Sequence, residues 1–122
     1  MTLSEREWTV LNVLWSTGGA ELKEIVKQLY EKTKWSINTV HTYLTRMEAK
    51  GLVGINKDTK PHVYCALIDR ESCRKRERTS FLRNVYSGSS SELIAAFIRD
   101  NHDSISPEER EKLRKILDEM EV

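Results

Sequence analysis

Cysteine is scarce in this sequence, which has only two among its 122 residues. Cys65 and Cys73 are too few for a disulfide framework, and their spacing matches none of the paired-ligand spacings of zinc sites, so we predict free thiols and no metal site. No apolar run approaches the roughly 18 residues that a membrane-spanning helix needs. The first residues mix charged side chains into their apolar pattern, unlike a signal peptide, and this favours a cytoplasmic location.

Recognisable catalytic motifs are also missing. The three histidines, His41, His62 and His102, are scattered, and the sequence contains no HExxH pattern, no glycine-rich phosphate loop and no nucleophile motif. His62 with Cys65 and Cys73 is the one conceivable metal-ligand set, and its predicted placement on a strand and a helix argues against convergence. We therefore predict that the protein is not an enzyme and expect no cofactor.

Net charge is small as well, at +1, so the overall charge does not indicate a nucleic-acid partner. The basic residues are unevenly distributed, however. Residues 33–62 contain five Lys or Arg against two acidic residues, and residues 70–83 contain six against two. We interpret the second group as a solvated helix face, and expect any nucleic-acid contact to come from the first.

Three amphipathic helices are predicted before residue 51. The first opens with a capping box of Ser4 and Glu7 and extends to about Trp15. Apolar residues at helical spacing over 22–30 predict the second. The third lies between Ser36, a favourable N-cap, and Lys50, which precedes a glycine stop. Its apolar stripe consists of Val40, Tyr43, Leu44 and Met47.

After residue 51 the spacing of apolar residues is no longer helical. Residues 52–55 and 62–67 are short β-prone runs with a polar segment between them, which predicts a hairpin. Helical patterns return over 69–86, around 93–98 and after Ser106, which is a predicted N-cap with Pro107 in the first helical position and Glu109 completing a capping box. This order predicts a mostly α chain with a small β-hairpin (α+β), in which a winged helix-turn-helix DNA-binding domain occupies residues 1–68 and a helical dimerisation region occupies residues 69–122.

The third helix is the candidate recognition helix, because the face opposite its apolar stripe carries short hydrogen-bonding groups, one long cation and no carboxylate. Such groups contact phosphates and base edges. Lysines at the hairpin tip are candidates for phosphate contacts, with simple solvation as the alternative. The candidate DNA-binding residues are Ser36, Asn38, Thr39, His41, Thr42, Thr45, Arg46, Lys57 and Lys60.

The tail carries more apolar surface than a 54-residue helical segment easily buries within itself, which favours a homodimer over a tail folded back on its own winged domain. A dimer would place two recognition helices on the half-sites of double-stranded operator DNA. The candidate dimerisation residues are Leu93, Ile94, Phe97, Ile98, Leu113, Ile116, Leu117 and Met120. A winged-helix adaptor that binds protein instead of DNA is the alternative from another functional class.

Three motifs together resemble the penicillinase-repressor (BlaI/MecI/CopY) family of bacterial regulators. They are E-W-x-V-L-N-V-L-W at residues 7–15, W-S-x-x-T-V-x-T-x-L-x-R at residues 35–46 and K-G-L-V at residues 50–53. The resemblance implies a homodimeric repressor that binds an inverted-repeat operator through Thr39, Thr42 and Arg46.

The same resemblance suggests how repression would be relieved. It implies control of β-lactam resistance genes, with a membrane sensor-protease pathway triggering cleavage of the tail at the bond that matches Ala96–Phe97. The copper-responsive branch of the family carries Cys-x-Cys pairs near its C-terminus, which this chain lacks. A metal-responsive repressor of the same fold therefore remains only an alternative.

Overall fold

The computed structural model describes residues 2–120, which form nine regular helices and strands and one short 3₁₀ turn. Contacts divide the chain into two compact units, Met1–Glu77 and Arg78–Val122. The predicted order of three helices, a hairpin and three helices is confirmed. The elements are α1 (Glu5–Thr17), β1 (Ala20–Glu21), α2 (Leu22–Thr33), α3 (Ile37–Ala49), β2 (Val53–Asn56), β3 (Val63–Ala66), α4 (Arg70–Tyr86), α5 (Ser90–Asn101), a 3₁₀ turn (His102–Ser104) and α6 (Pro107–Glu119).

Helix boundaries in the first unit follow local capping chemistry. The Ser4 hydroxyl accepts a hydrogen bond from the Glu7 backbone N–H, and the Ser4 N–H donates to the Glu7 carboxylate, as the capping box predicts. Helix α3 ends in a Schellman motif, because Gly51 adopts a φ of +80° and the N–H of Leu52 donates to the Met47 carbonyl over 2.9 Å. The Ser36 hydroxyl accepts from the Thr39 N–H at the other end, so both ends of the candidate recognition helix are capped.

The small sheet has three antiparallel strands in the order β1–β3–β2. Strands β2 and β3 form the predicted hairpin, with Val53 opposite Ala66 and Asn56 opposite Val63. Strand β1 pairs Ala20 with Tyr64 and was not predicted, because two residues are too short to show an alternating pattern. This third strand fixes the hairpin against the start of α2.

Helices α1, α2 and α3 and the sheet enclose one apolar core. Burying each large aliphatic side chain stabilises the fold by about 1.5–3 kcal/mol relative to leaving it in water. The predicted stripe of α2 stops short of Tyr30, which is 52% exposed and has the Lys34 ammonium 4.8 Å from its ring centre. The core residues are Val10, Leu11, Leu14, Ala20, Ile25, Leu29, Val40, Leu44, Met47, Leu52, Val53 and Tyr64.

The second unit contains α5 and α6, each with a serine N-cap. Ser106 and Glu109 form a capping box and Pro107 takes the first helical position, as the sequence predicts. Neither helix buries a side chain within the part of the chain that the structure describes. Two apolar grooves of about 500 and 790 Å³ lie along these helices.

Among residues 2–120, no helix is long and apolar enough to cross a membrane. Cys73 is buried and Cys65 half-buried, and both are free thiols. The same residues contain no group of three His, Cys, Asp or Glu side chains that could hold a metal ion.

Candidate nucleic-acid interface

Helix α3 has one buried and one solvent-facing side. Val40, Leu44 and Met47 are essentially inaccessible and anchor the helix to the core. Thr39 is half-buried. Every other candidate on this element is exposed, namely Ser36, Asn38, His41, Thr42, Thr45 and Arg46.

Two of the three candidate threonines, Thr42 and Thr45, already use their hydroxyl hydrogens as donors. Thr42 donates to the Asn38 carbonyl and Thr45 to the His41 carbonyl, each over 2.9 Å. Thr42 and Thr45 therefore present oxygen lone pairs and a methyl group outward. The donors that remain for a ligand belong to Asn38, His41 and Arg46 and to one hydroxyl of the hydrogen-bonded Ser36–Thr39 pair. The face combines acceptors, methyl groups and a few donors, a mixture that suits base edges in the major groove.

Arg46 is the long cation of this face. None of the carboxylates among residues 2–120 lies within ion-pair distance of its guanidinium. Ala49 is exposed one turn further along, and at seven residues from Thr42 it lies on the same helix face. The sequence reasoning missed Ala49, although that spacing and its short side chain, which leaves room for a duplex, were both visible.

Helix α1 holds one flank of α3 through two polar residue pairs, and the residue before the α3 N-cap adds an aromatic contact. The Arg6 guanidinium donates to the Tyr43 hydroxyl over 2.9 Å and lies 5.9 Å from the Tyr43 ring centre. The Glu7 carboxylate accepts a hydrogen bond from the Lys50 ammonium over 2.8 Å. Trp35 packs against Tyr43 with ring centres 4.8 Å apart. The Arg6–Tyr43 and Glu7–Lys50 pairs connect residues about 40 positions apart, so local sequence patterns could not reveal them.

Glu7 is the single buried charged residue in the described part of the chain, at 8% exposure. Burial by itself raises the pKa of this carboxyl. Hydrogen bonds from the Lys50 ammonium and from Ser4, together with the positive charge of Lys50, outweigh burial and lower the pKa below its ordinary value. Glu7 is therefore ionised at neutral pH and links the start of α1 to the end of α3.

The hairpin tip carries the remaining basic candidates. Lys57 and Lys60 are both exposed, with Asp58 between them. The tip is ordered by the Asn56 side-chain carbonyl, which accepts from the Asp58 N–H over 3.0 Å, and by Thr59, which donates to the Asn56 carbonyl over 3.2 Å. The exposed candidates from Asn38 to Arg46 thus lie on one face of α3, with Ser36 at its N-cap, while the two lysines extend from a separate element.

The dimerisation candidates all lie in the second unit, on α5 and α6 or just after them. Leu93 is half-buried, and exposure of the others ranges from 38% for Ile98 to 70% for Met120. Ala96 is half-buried in the middle of α5, whereas Phe97 is 61% exposed.

Comparison with known proteins identifies the family. The model of the family described as "Penicillinase repressor" matches residues 3–119. The methicillin resistance regulatory protein MecI of Staphylococcus aureus (strain N315) is 30% identical over 115 residues, covering 94% of this chain and 92% of the relative. The penicillinase repressor of Bacillus licheniformis is 30% identical over 117 residues, covering 96% of this chain and 90% of the relative.

One solved structure also matches over most of the chain. It is described as "Mechanism for regulation of DNA binding of Bordetella bronchiseptica BpsR by 6-hydroxynicotinic acid", has a TM-score of 0.47 and 21% sequence identity, and covers 97% of this chain and 74% of its own. The matches to the family model and to the two repressors extend over both units. The chain belongs to the penicillinase repressor family, a family of transcriptional repressors and not of enzymes.

Proposed function

We propose that this protein represses transcription by placing α3 in the major groove of operator DNA. The observation that carries the proposal is the solvent-facing side of α3, where short polar groups surround an Arg46 that has no acidic partner among residues 2–120. A guanidinium in that position can bind guanine O6 and N7 together, a contact that contributes about 1–3 kcal/mol of base discrimination. Lys57 and Lys60 would contact the neighbouring phosphates.

A homodimer follows from the apolar faces of α5 and α6. Phe97, Ile116 and Leu117 each leave more than half of their surface in water. A second copy related by twofold symmetry would cover them and would present two α3 helices to an inverted repeat. We therefore assign operator binding to residues 1–68 and dimerisation to residues 69–122.

Resistance genes are the proposed targets, because the relatives include a methicillin resistance regulator and a penicillinase repressor. Release would follow cleavage at Ala96–Phe97 by a pathway that begins at a membrane sensor. That bond lies inside α5, so a protease requires the helix to open first. Within a single chain α5 buries no side chain, so opening costs little there, and a second copy that covers its apolar face would raise that cost. The repressor would act in the cytoplasm, where the bacterial chromosome lies.

The test uses a duplex that the wild-type protein selects from a random-sequence library, and a scrambled duplex of equal length. We expect Arg46→Ala and Thr42→Ala to abolish the preference for the selected duplex and to leave thermal stability unchanged, because neither side chain contributes to the core. Arg76→Ala on α4 is the matched control and should bind as wild type does. Undiminished preference in Arg46→Ala would overturn the assignment of α3.

The salt dependence of binding distinguishes DNA binding from the protein-adaptor alternative. Binding that releases counterions from several phosphates should weaken by orders of magnitude between about 50 and 200 mM salt. A flat salt response, with no sequence selected from the library, would favour the adaptor.

A further inference from the structure

A second polar surface lies in the first unit, beside α3 and outside the candidate interface. It is a groove of about 590 Å³ between the start of α1 and the end of α2. Its lining includes Arg6 from α1, Lys32 from α2, and Trp35, the residue that precedes the N-cap of α3. We call it the α1–α2 groove.

The groove has two cations free for a ligand, and its lining also contains two neutral groups that can donate, the Ser4 hydroxyl and the Trp35 indole. Neither Arg6 nor Lys32 forms an ion pair within the described residues. The hydroxyl hydrogen of Thr9 is already donated to the Glu5 carbonyl over 2.9 Å, and that of Thr33 to the Leu29 carbonyl over 2.8 Å. Glu5 adds one carboxylate to the lining, so the groove has a single net positive charge.

Arg6 connects this groove directly to the recognition helix. One of its nitrogens donates to Tyr43 on the flank of α3, and the guanidinium retains further N–H groups for an anion. Because α3 would lie in the major groove, elements along its flanks face the phosphates that border the contacted bases. The simplest anionic ligand for the α1–α2 groove is therefore a backbone phosphate of the same DNA duplex that α3 contacts.

We propose that the α1–α2 groove binds a DNA backbone phosphate next to the bases contacted by α3, with Arg6 and Lys32 as the phosphate contacts. The proposal rests on the proposed function of α3 and adds to it a sequence-independent contact that sets the orientation of the helix on the duplex. Local sequence gives no sign of it, since Arg6 and Lys32 are 26 positions apart on separate helices.

The experiment measures the slope of log affinity against log salt concentration. The probes are the library-selected duplex and its scrambled counterpart, and the variants are Arg6→Gln and Lys32→Gln. Each lost phosphate contact should make the slope shallower by about one for every protein chain bound, and should weaken binding to both duplexes by the same factor. Lys27→Gln is the control, because Lys27 is exposed on the opposite side of α2 and should leave the slope unchanged.

Tyr43→Phe distinguishes phosphate binding from a purely positioning role of Arg6. This variant keeps the charge of Arg6 and the aromatic ring, and removes only the hydroxyl that accepts the hydrogen bond. We expect its salt slope to equal that of wild type. If Arg6→Gln instead behaved like Tyr43→Phe, with an unchanged slope and a reduced preference for the selected duplex, Arg6 would only hold α3 in place and the proposal would be wrong.

Lys32→Gln makes the test independent of α3, since Lys32 does not contact that helix through any hydrogen bond or ion pair in the described residues. An unchanged slope in Lys32→Gln would also overturn the phosphate site. If Lys32→Gln left the slope unchanged while Arg46→Ala lost the preference for the selected duplex, only the phosphate site in the groove would be rejected and the proposed function of α3 would stand. If the wild-type protein showed no preference, the proposed function would fail with it.

Discussion

Replacing Glu7 by glutamine tests how strongly the start of α1 holds the end of α3. One carboxylate oxygen accepts from the Ser4 N–H over 2.9 Å, and the other accepts from the Lys50 ammonium over 2.8 Å. Glutamine keeps an acceptor for the cap but places an amide where the second oxygen meets the ammonium. The substitution therefore removes mainly the ion pair.

The expected loss follows from the burial of the two partners. Breaking a buried ion pair costs about 3–5 kcal/mol, whereas an exposed pair contributes about 0–1 kcal/mol. The Glu7 side chain is 10% exposed and the Lys50 side chain 54% exposed, so this pair lies between the two limits. We expect Glu7→Gln to lower the free energy of unfolding by about 1–2 kcal/mol at pH 7. For a unit of this size, that is a decrease in Tm of about 4–15 °C.

The pH dependence has a definite sign. Because the pKa of Glu7 is lower in the folded protein than its ordinary value of 4.5, the ionised carboxylate stabilises the fold above that value. The stabilisation is lost as the pH falls through the lowered pKa. The difference in stability between wild type and Glu7→Gln should therefore shrink in acid and be constant from pH 6 upward.

The assay is urea unfolding of wild type, Glu7→Gln, Lys50→Met and the double variant at one protein concentration. The neighbouring Glu5→Gln, at an exposed position in the same helical turn, is the control and should change stability by less than about 0.5 kcal/mol. Additive losses within about 0.5 kcal/mol would show that the two residues do not interact, and would refute the reasoning. A gap between Glu7→Gln and wild type that persists unchanged at pH 3 would refute it equally.

Three further substitutions test other parts of the molecule. Leu44→Ala removes a fully buried side chain from α3 and should cost about 2–5 kcal/mol in the free energy of unfolding, measured by denaturant titration; a loss under 1 kcal/mol would contradict the core assignment. Gly51→Ala places a side chain at a φ of +80° where there is open space, so backbone strain alone should cost about 1–2 kcal/mol by the same assay, and an unchanged stability would contradict the left-handed stop. Leu117→Asp puts a charge on an apolar face that is 55% exposed and should give monomers in sedimentation experiments; an unaltered dimer would exclude α6 from the interface.

The sequence predicted the elements of the first unit because each was marked by strong local signals. The Ser4–Glu7 capping box, the Ser36 N-cap and the glycine after Lys50 are all present in the structure as hydrogen bonds or as a left-handed backbone. Apolar spacing also identified the buried side of α3 correctly at Val40, Leu44 and Met47. Local chemistry is sufficient here because each cap is satisfied by hydrogen bonds between residues three to five positions apart.

Long-range contacts were beyond the reach of such patterns. Strand β1 exists only because β3 supplies its hydrogen-bond partners, and Tyr43 was assigned to the apolar stripe although its hydroxyl binds Arg6. The sequence also did not predict that the Thr42 and Thr45 hydroxyls donate to backbone carbonyls of their own helix. The residue type alone does not show which acceptor a hydroxyl binds.

The two units differ in the physical origin of their stability. The first buries twelve apolar side chains in one core, so its stability is a property of the single chain. Helices α5 and α6 bury none, and their serine caps and internal helix hydrogen bonds contribute too little to balance the entropy of ordering them. Burial of the apolar faces against a second copy would supply the stabilising free energy that α5 and α6 lack. The order of the tail would then depend on protein concentration. A cut near Ala96 would then weaken operator binding without touching α3, because it would remove the association that brings two recognition helices to one operator.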